Sequence, residues 1–107
     1  MAKRYKLVVY VPQTHGDALR EAIGAAGAGV IGKYSYCTFT VKGTTRFKPE
    51  RGTDPIEGDV GTVEEVTEDR IETVREGAKL KGVLAAIRKV HPYEEPASDV
   101  YPIELVE

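Results

Sequence analysis

A single cysteine, Cys37, stands among 107 residues. The chain can therefore form no internal disulfide, no cysteine-rich zinc cage and no CxxC redox pair. Charge of one sign is not in excess either: 15 Lys and Arg face 17 Asp and Glu, for a formal net charge of -2. That balance lacks the basic footprint which phosphate backbones require, and it argues against nucleic acid as a partner. No apolar run approaches the ~20 residues of a membrane span. Met1-Ala2-Lys3-Arg4-Tyr5 leads straight into a strand-like segment without the apolar core of a signal peptide. These absences point to a reduced, cytoplasmic setting with no membrane. Short-period repeats and low-complexity tails are missing too. What remains is a chain of one domain, residues 1–107, able to bury a modest core that oligomerisation would reinforce.

Residues 5–12, Tyr-Lys-Leu-Val-Val-Tyr-Val-Pro, are β-branched and aromatic and close on a proline, the pattern of a largely buried strand. Thr14 then stands as an N-cap, with Asp17 three residues on in the manner of a capping box. Leu19, Ala22, Ile23 and Ala26 form one apolar helical stripe, which Gly27 and Gly29 stop. Residues 31–41 read as a second strand, with Tyr34, Tyr36, Thr38 and Thr40 on one face. A loop containing Pro49, Gly52, Pro55 and Gly58 follows at about 43–61; loops of that length are often functional. A third strand is expected over 62–74, where Glu68, Arg70 and Glu72 interleave with Asp69, Ile71 and Thr73. Leu80, Val83, Leu84 and Ile87 repeat the helical stripe, with Lys79, Lys81, Arg88 and Lys89 mostly on the wet side. Pro92 ends that helix at His91. Residues 98–106 form the last strand, which Pro102 confines to an edge or a bulge.

The order β-α-β-β-α-β predicts an α+β, ferredoxin-like fold: a four-stranded antiparallel sheet with two helices on one face. The other face must be wet or covered, and its tyrosines favour packing against another subunit.

Gly24, Gly27, Gly29 and Gly32 superficially suggest a phosphate loop. Such loops follow a strand and open a helix, whereas these glycines follow a helix, so a helix stop and turn is the favoured reading. His91-Pro92-Tyr93-Glu94-Glu95-Pro96 with Asp99 is the densest polar group. Its imidazole and carboxylates offer ligands to a divalent metal ion. The plainer alternative is a helix stop and a rigid turn, with Cys37 a small core residue. His15 has no partner at ligand spacing. Arg46, Lys48 and Arg51 place positive charge in the long loop, either to receive a phosphate or carboxylate or as solvated charge. No hydrolytic triad and no HExxH motif is present, and no enzyme is expected.

Residues 5–12, the 25–29 turn, Ile31-Gly32-Lys33-Tyr34-Ser35-Tyr36-Cys37, Phe47-Lys48-Pro49 and above all the string from His91 to Pro102 resemble the PII/CutA-like domain inserted in bacterial NIF-three-like (YqfO-type) proteins. HPYE before a proline resembles CutA as well. The resemblance covers nearly the whole chain. It implies a stand-alone PII/CutA-like module that forms a homotrimer through its sheets. A small-molecule ligand or a protein partner would then bind between subunits, near Arg46, Lys48, Tyr93, Glu94 and Glu95. It also implies an alternative, a CutA-like metal-handling protein using His91, Glu94, Glu95 and Cys37. The dinuclear metal site of the host proteins lies in a flanking domain whose motifs this sequence lacks. Where those relatives commonly carry a histidine between Ser35 and Cys37, this chain has Tyr36, which weakens the metal reading.

Overall fold

The computed structural model of the chain describes residues 4–54, 58–93 and 95–104. The apolar run near the N-terminus is β1 (Arg4–Pro12). The two apolar stripes become α1 (Gly16–Ala25) and α2 (Leu80–Val90), and β2 (Phe39–Phe47), β3 (Glu64–Glu76) and β4 (Ser98–Ile103) complete the set. Short 3-10 turns, Gln13–His15 and Gly77–Lys79, lead into the helices. The sheet order is β2-β3-β1-β4 with every neighbouring pair antiparallel. This is the expected ferredoxin-like arrangement.

Period-two alternation decides what each face carries. Leu7, Val9 and Val11 of β1 point to the helices, where they meet Leu19 and Ile23 of α1, Ile71 of β3, and Val83 and Ile87 of α2. Burying an aliphatic side chain of this kind contributes roughly 1.5–3 kcal/mol, so this layer is the main source of stability. The opposite face has no helix. It presents Lys6, Val8 and Tyr10 beside Val74, Glu72 and Arg70 of β3, with Phe39 and Val41 of β2 and Asp99 and Tyr101 of β4 in the same rows. β4 pairs only with β1, so Pro102 lies on an edge strand as expected. Leu105 and Val106 of the expected strand lie outside the described residues.

Three expectations need correction. Thr14 does not cap α1: its Oγ1 lies 3.0 Å from His15 Nδ1, and the helix has no side-chain cap. The 3-10 turn moves the helix start to Gly16, where a Cβ would meet Asp69 Oδ2 at 2.5 Å. Asp17 instead pairs with Arg20 at 2.6 Å.

The second strand begins at Phe39, not at residue 31. Gly29 (φ 85°) donates to Val74 O at 2.6 Å and accepts from Cys37 N at 2.9 Å, so the chain between them loops outward. Tyr36 in that loop adopts φ 60°, unusual for a bulky residue, and its ring lies against Gly24. Tyr34 and Tyr36 are therefore not on the sheet face. Finally, β2 continues through Gly43 to Phe47, so Arg46 is a strand residue and the loop starts later, at Lys48. Because β1 stops at the Pro12–Glu68 pair, Thr44–Phe47 and Glu64–Thr67 project past it as a two-stranded arm.

One cation is buried on the helix side. Arg75 is 1% exposed and lies over the Tyr5 ring, 4.6 Å from its centroid. Its Nη1 donates to Glu76 O at 2.8 Å, while Nε and Nη2 are buried without a hydrogen-bond partner. Burial lowers its pKa below the usual guanidinium value.

Candidate functional site: the turn after α2 and the open sheet face

Pro92 disfavours helical geometry at the residue before it, and His91 is extended (φ -74°, ψ 131°) at the end of α2. The imidazole turns inward and is 7% exposed. Its Nδ1 lies 3.2 Å from the Tyr93 amide, which can only donate. Nδ1 is therefore the acceptor, and Nε2 carries the proton and donates to Tyr10 O at 2.7 Å. Tyr10 N donates to Ala97 O at 3.0 Å. Both sides of the turn are thus stitched to one residue of β1. The Tyr93 ring tilts against His91, with centroids 5.2 Å apart, and against Phe47 of the arm at 6.4 Å.

The side chain of Tyr10 continues onto the open face. Its hydroxyl accepts from Arg70 Nη1 at 3.2 Å, and the guanidinium lies 5.7 Å from the ring centroid. Arg70 Nε faces Glu72 at 3.4 Å. Glu68, 3% exposed, accepts from the Thr45 hydroxyl. Gly43 stands in the row between Val41 and Thr45, opposite Glu68, and a Cβ there would meet nothing within 4 Å. The missing side chain leaves a recess of about 160 Å³ lined by Tyr10, Val41, Thr45, Glu68 and Arg70. Small-molecule sites commonly measure ~300–1,000 Å³, so this recess fits one side chain or a small group unless a second surface extends it.

The residues singled out in the sequence divide into separate places. Tyr93 joins His91 and Phe47. Arg46 alternates to the opposite side of the arm from Phe47 and pairs with Glu65 at 3.2 Å; Lys48 lies 3.6 Å from Glu50. Glu95 is exposed, and Glu94 lies outside the described residues. Cys37 is half-buried, with Sγ 3.9 Å from Ser35 O, and its carbonyl accepts from Thr73. Among the described residues, no three His, Cys, Asp or Glu side chains converge as a metal cage, and both ring nitrogens of His91 are already engaged. Gly27 (φ 102°) and Gly29 end α1 and turn the chain, the reading favoured over a phosphate loop. Tyr10, Gly43, Glu68 and Arg70 were not singled out. The alternation of Glu68, Arg70 and Glu72 was a signal for them, but Gly43 opposite Glu68 depends on strand register.

No family profile matches the chain. In solved structures, the Archaeoglobus fulgidus periplasmic divalent cation tolerance protein CutA superposes with a TM-score of 0.73 over 97% of this chain and 87% of its own, at 16% identity. This chain has the CutA-like fold. The Bacillus cereus protein related to NIF3 superposes with a TM-score of 0.86 at 44% identity, over 97% of this chain and 26% of that one. In sequence, the chain is 63% identical over 100 residues to a GTP cyclohydrolase 1 type 2 homolog of Halalkalibacterium halodurans, covering 92% of this chain and 27% of the relative. It is 50% identical over 99 residues to the Bacillus subtilis protein of the same name, covering 92% and 26%. Both expected likenesses, to NIF3-related proteins and to CutA, are therefore met. The chain spans about a quarter of the length of these curated relatives.

Proposed function

We propose that the chain is a non-catalytic binding module of the cytoplasm. In this reading it assembles as a homotrimer through its helix-free sheet faces and takes a small ligand or a protein partner at the seams. The observation that carries the reading is the open face itself. Phe39, Val41 and Tyr101 are 63%, 45% and 42% exposed there, and Val41 also lines the recess, which is too small to select a guest alone. The Tyr93 turn borders this face through its contact with Phe47, exposed Glu95 follows it, and Arg46 lies on the arm with Lys48 just past its end. The relatives are named as homologs of a GTP cyclohydrolase, and the matched segment covers 27% of the relative's length. The metal-handling alternative draws on the name of the CutA neighbours. It requires a metal to displace either the Tyr93 amide or the Tyr10 carbonyl from His91.

Light scattering coupled to size exclusion tests the assembly, and the expected mass is three times that of the chain. Gly43→Leu starts a side chain into the recess from a Cβ that meets nothing within 4 Å and is expected to lower the oligomer's mass or affinity, with Gly43→Ala intermediate. A wild-type monomer at micromolar concentration would overturn the reading. A thermal-shift screen with nucleotides and divalent metals then identifies the guest, because a ligand of the folded form raises the melting temperature.

A further inference from the structure

The outer face of α2 has no role in the sheet-face reading. Lys81, Ala85 and Arg88 fall at i, i+4 and i+7, with Gly82 and Lys89 in the adjoining column, and all five are exposed. No acidic residue occurs from Gly77 to Tyr93. Among the described residues, the ion pairs involve Arg4, Arg20, Arg46, Lys48 and Arg70, and no cation of α2. Gly82 adds an independent observation. Glycine inside a helix is unfavourable relative to alanine, yet a Cβ at Gly82 would meet nothing within 4 Å. No contact among the described residues requires its absence.

We infer that this face docks an acidic helix of a protein partner, with Gly82 and Ala85 admitting the partner's backbone and Lys81, Arg88 and Lys89 pairing with its carboxylates. The distance from Lys81 to Lys89 is about 12 Å along the axis, which matches two turns of a facing helix. Small residues at a crossing allow close interaxial approach. The helices lie on the side of the sheet away from the open face, so this surface stays accessible when that face is covered. Nucleic acid fits less well. Three cations neutralise few phosphates. A membrane fits less well because no large apolar residue accompanies the cations on this face.

The test titrates 15N-labelled chain with a synthetic helical Glu/Ala peptide and its Gln/Ala counterpart, read by amide shifts. Expected are shifts confined to α2 with the Glu peptide alone, weakening several-fold as salt screens the charges. Lys81→Glu with Arg88→Glu is expected to weaken binding about tenfold or more. Gly82→Leu should weaken it comparably while the melting temperature is retained. Equal shifts with the Gln peptide, shifts spread over the surface, or equal or tighter binding of a short single-stranded RNA or of anionic vesicles through the same residues would each overturn the proposal. Because the readout is on α2, it fails or succeeds independently of the sheet-face assembly.

Discussion

Replacing His91 tests whether its ring is a structural clasp. In His91→Ala the Tyr10 carbonyl and the Tyr93 amide both lose their partner. A buried polar group left unpaired costs ~1–3 kcal/mol, so the two together, with the space the ring vacates, are expected to cost about 2–4 kcal/mol. For a domain of this length 1 kcal/mol moves the melting point by roughly 4–8 °C, which places His91→Ala about 8–32 °C below wild type. His91→Gln keeps an N–H donor within reach of Tyr10 O but offers the Tyr93 amide no matching acceptor, so about half the loss is expected. Calorimetry at one fixed protein concentration is the assay, because assembly makes melting points concentration-dependent. A His91→Ala protein melting within about 2 °C of wild type would refute the clasp. So would a metal-induced rise in wild type that vanishes in His91→Ala, which would return the residue to a ligand role.

Other substitutions separate contacts that look alike on paper. Arg20→Ala strands Asp69, whose side chain is 4% exposed and whose Oδ1 already lacks a partner, and is expected to cost about 3 kcal/mol or more in urea unfolding. Asp17→Ala removes a fully exposed partner and should leave the midpoint essentially unmoved. Asp17 and then Asp69 raise the Arg20 pKa, so this contribution is fully present below the unfolded guanidinium value and is lost only as pH rises through the folded one. The ranking of the two variants should therefore be the same at pH 6 and pH 8. Arg75 has the opposite sign: burial lowers its pKa, so the penalty on its charge is present throughout neutral pH, and Arg75→Met should unfold at an equal or higher urea concentration. Gly29→Ala forces a side chain into φ 85° with Cβ 2.6 Å from Cys37 O and should destabilise by about 2 kcal/mol or more. Gly82→Ala should stabilise by about 0.4–1 kcal/mol.

The helices and β1 were legible because their burial follows from local periodicity: Leu19 and Ile23, Val83 and Ile87, and Leu7 through Val11 need only one amphipathic face each. Pro92 marked the end of α2 because its constraint on His91 is local. Residues 31–38 have strand-like composition, yet Gly29 turns them out of the sheet through bonds to Val74 and Cys37. The bond to Val74 joins segments far apart in the chain, and no window of sequence contains it. Gly43 reads as a breaker, but in a strand already paired with β3 it only empties one row of side chains. The turn at His91 was legible as rigid from its prolines. Its attachment to Tyr10, and the placing of Tyr10 beside Arg70 and Glu68, required the strand register.

Arg4 and Ile103 are direct partners across β1 and β4, so the first strand begins and the last finishes side by side, roughly 5 Å apart. Polypeptide attached before Arg4 or after Ile103 would leave from one corner of the sheet. A foreign loop could accept such a cassette at a single splice point, with neither flank stretched and no ladder bond broken.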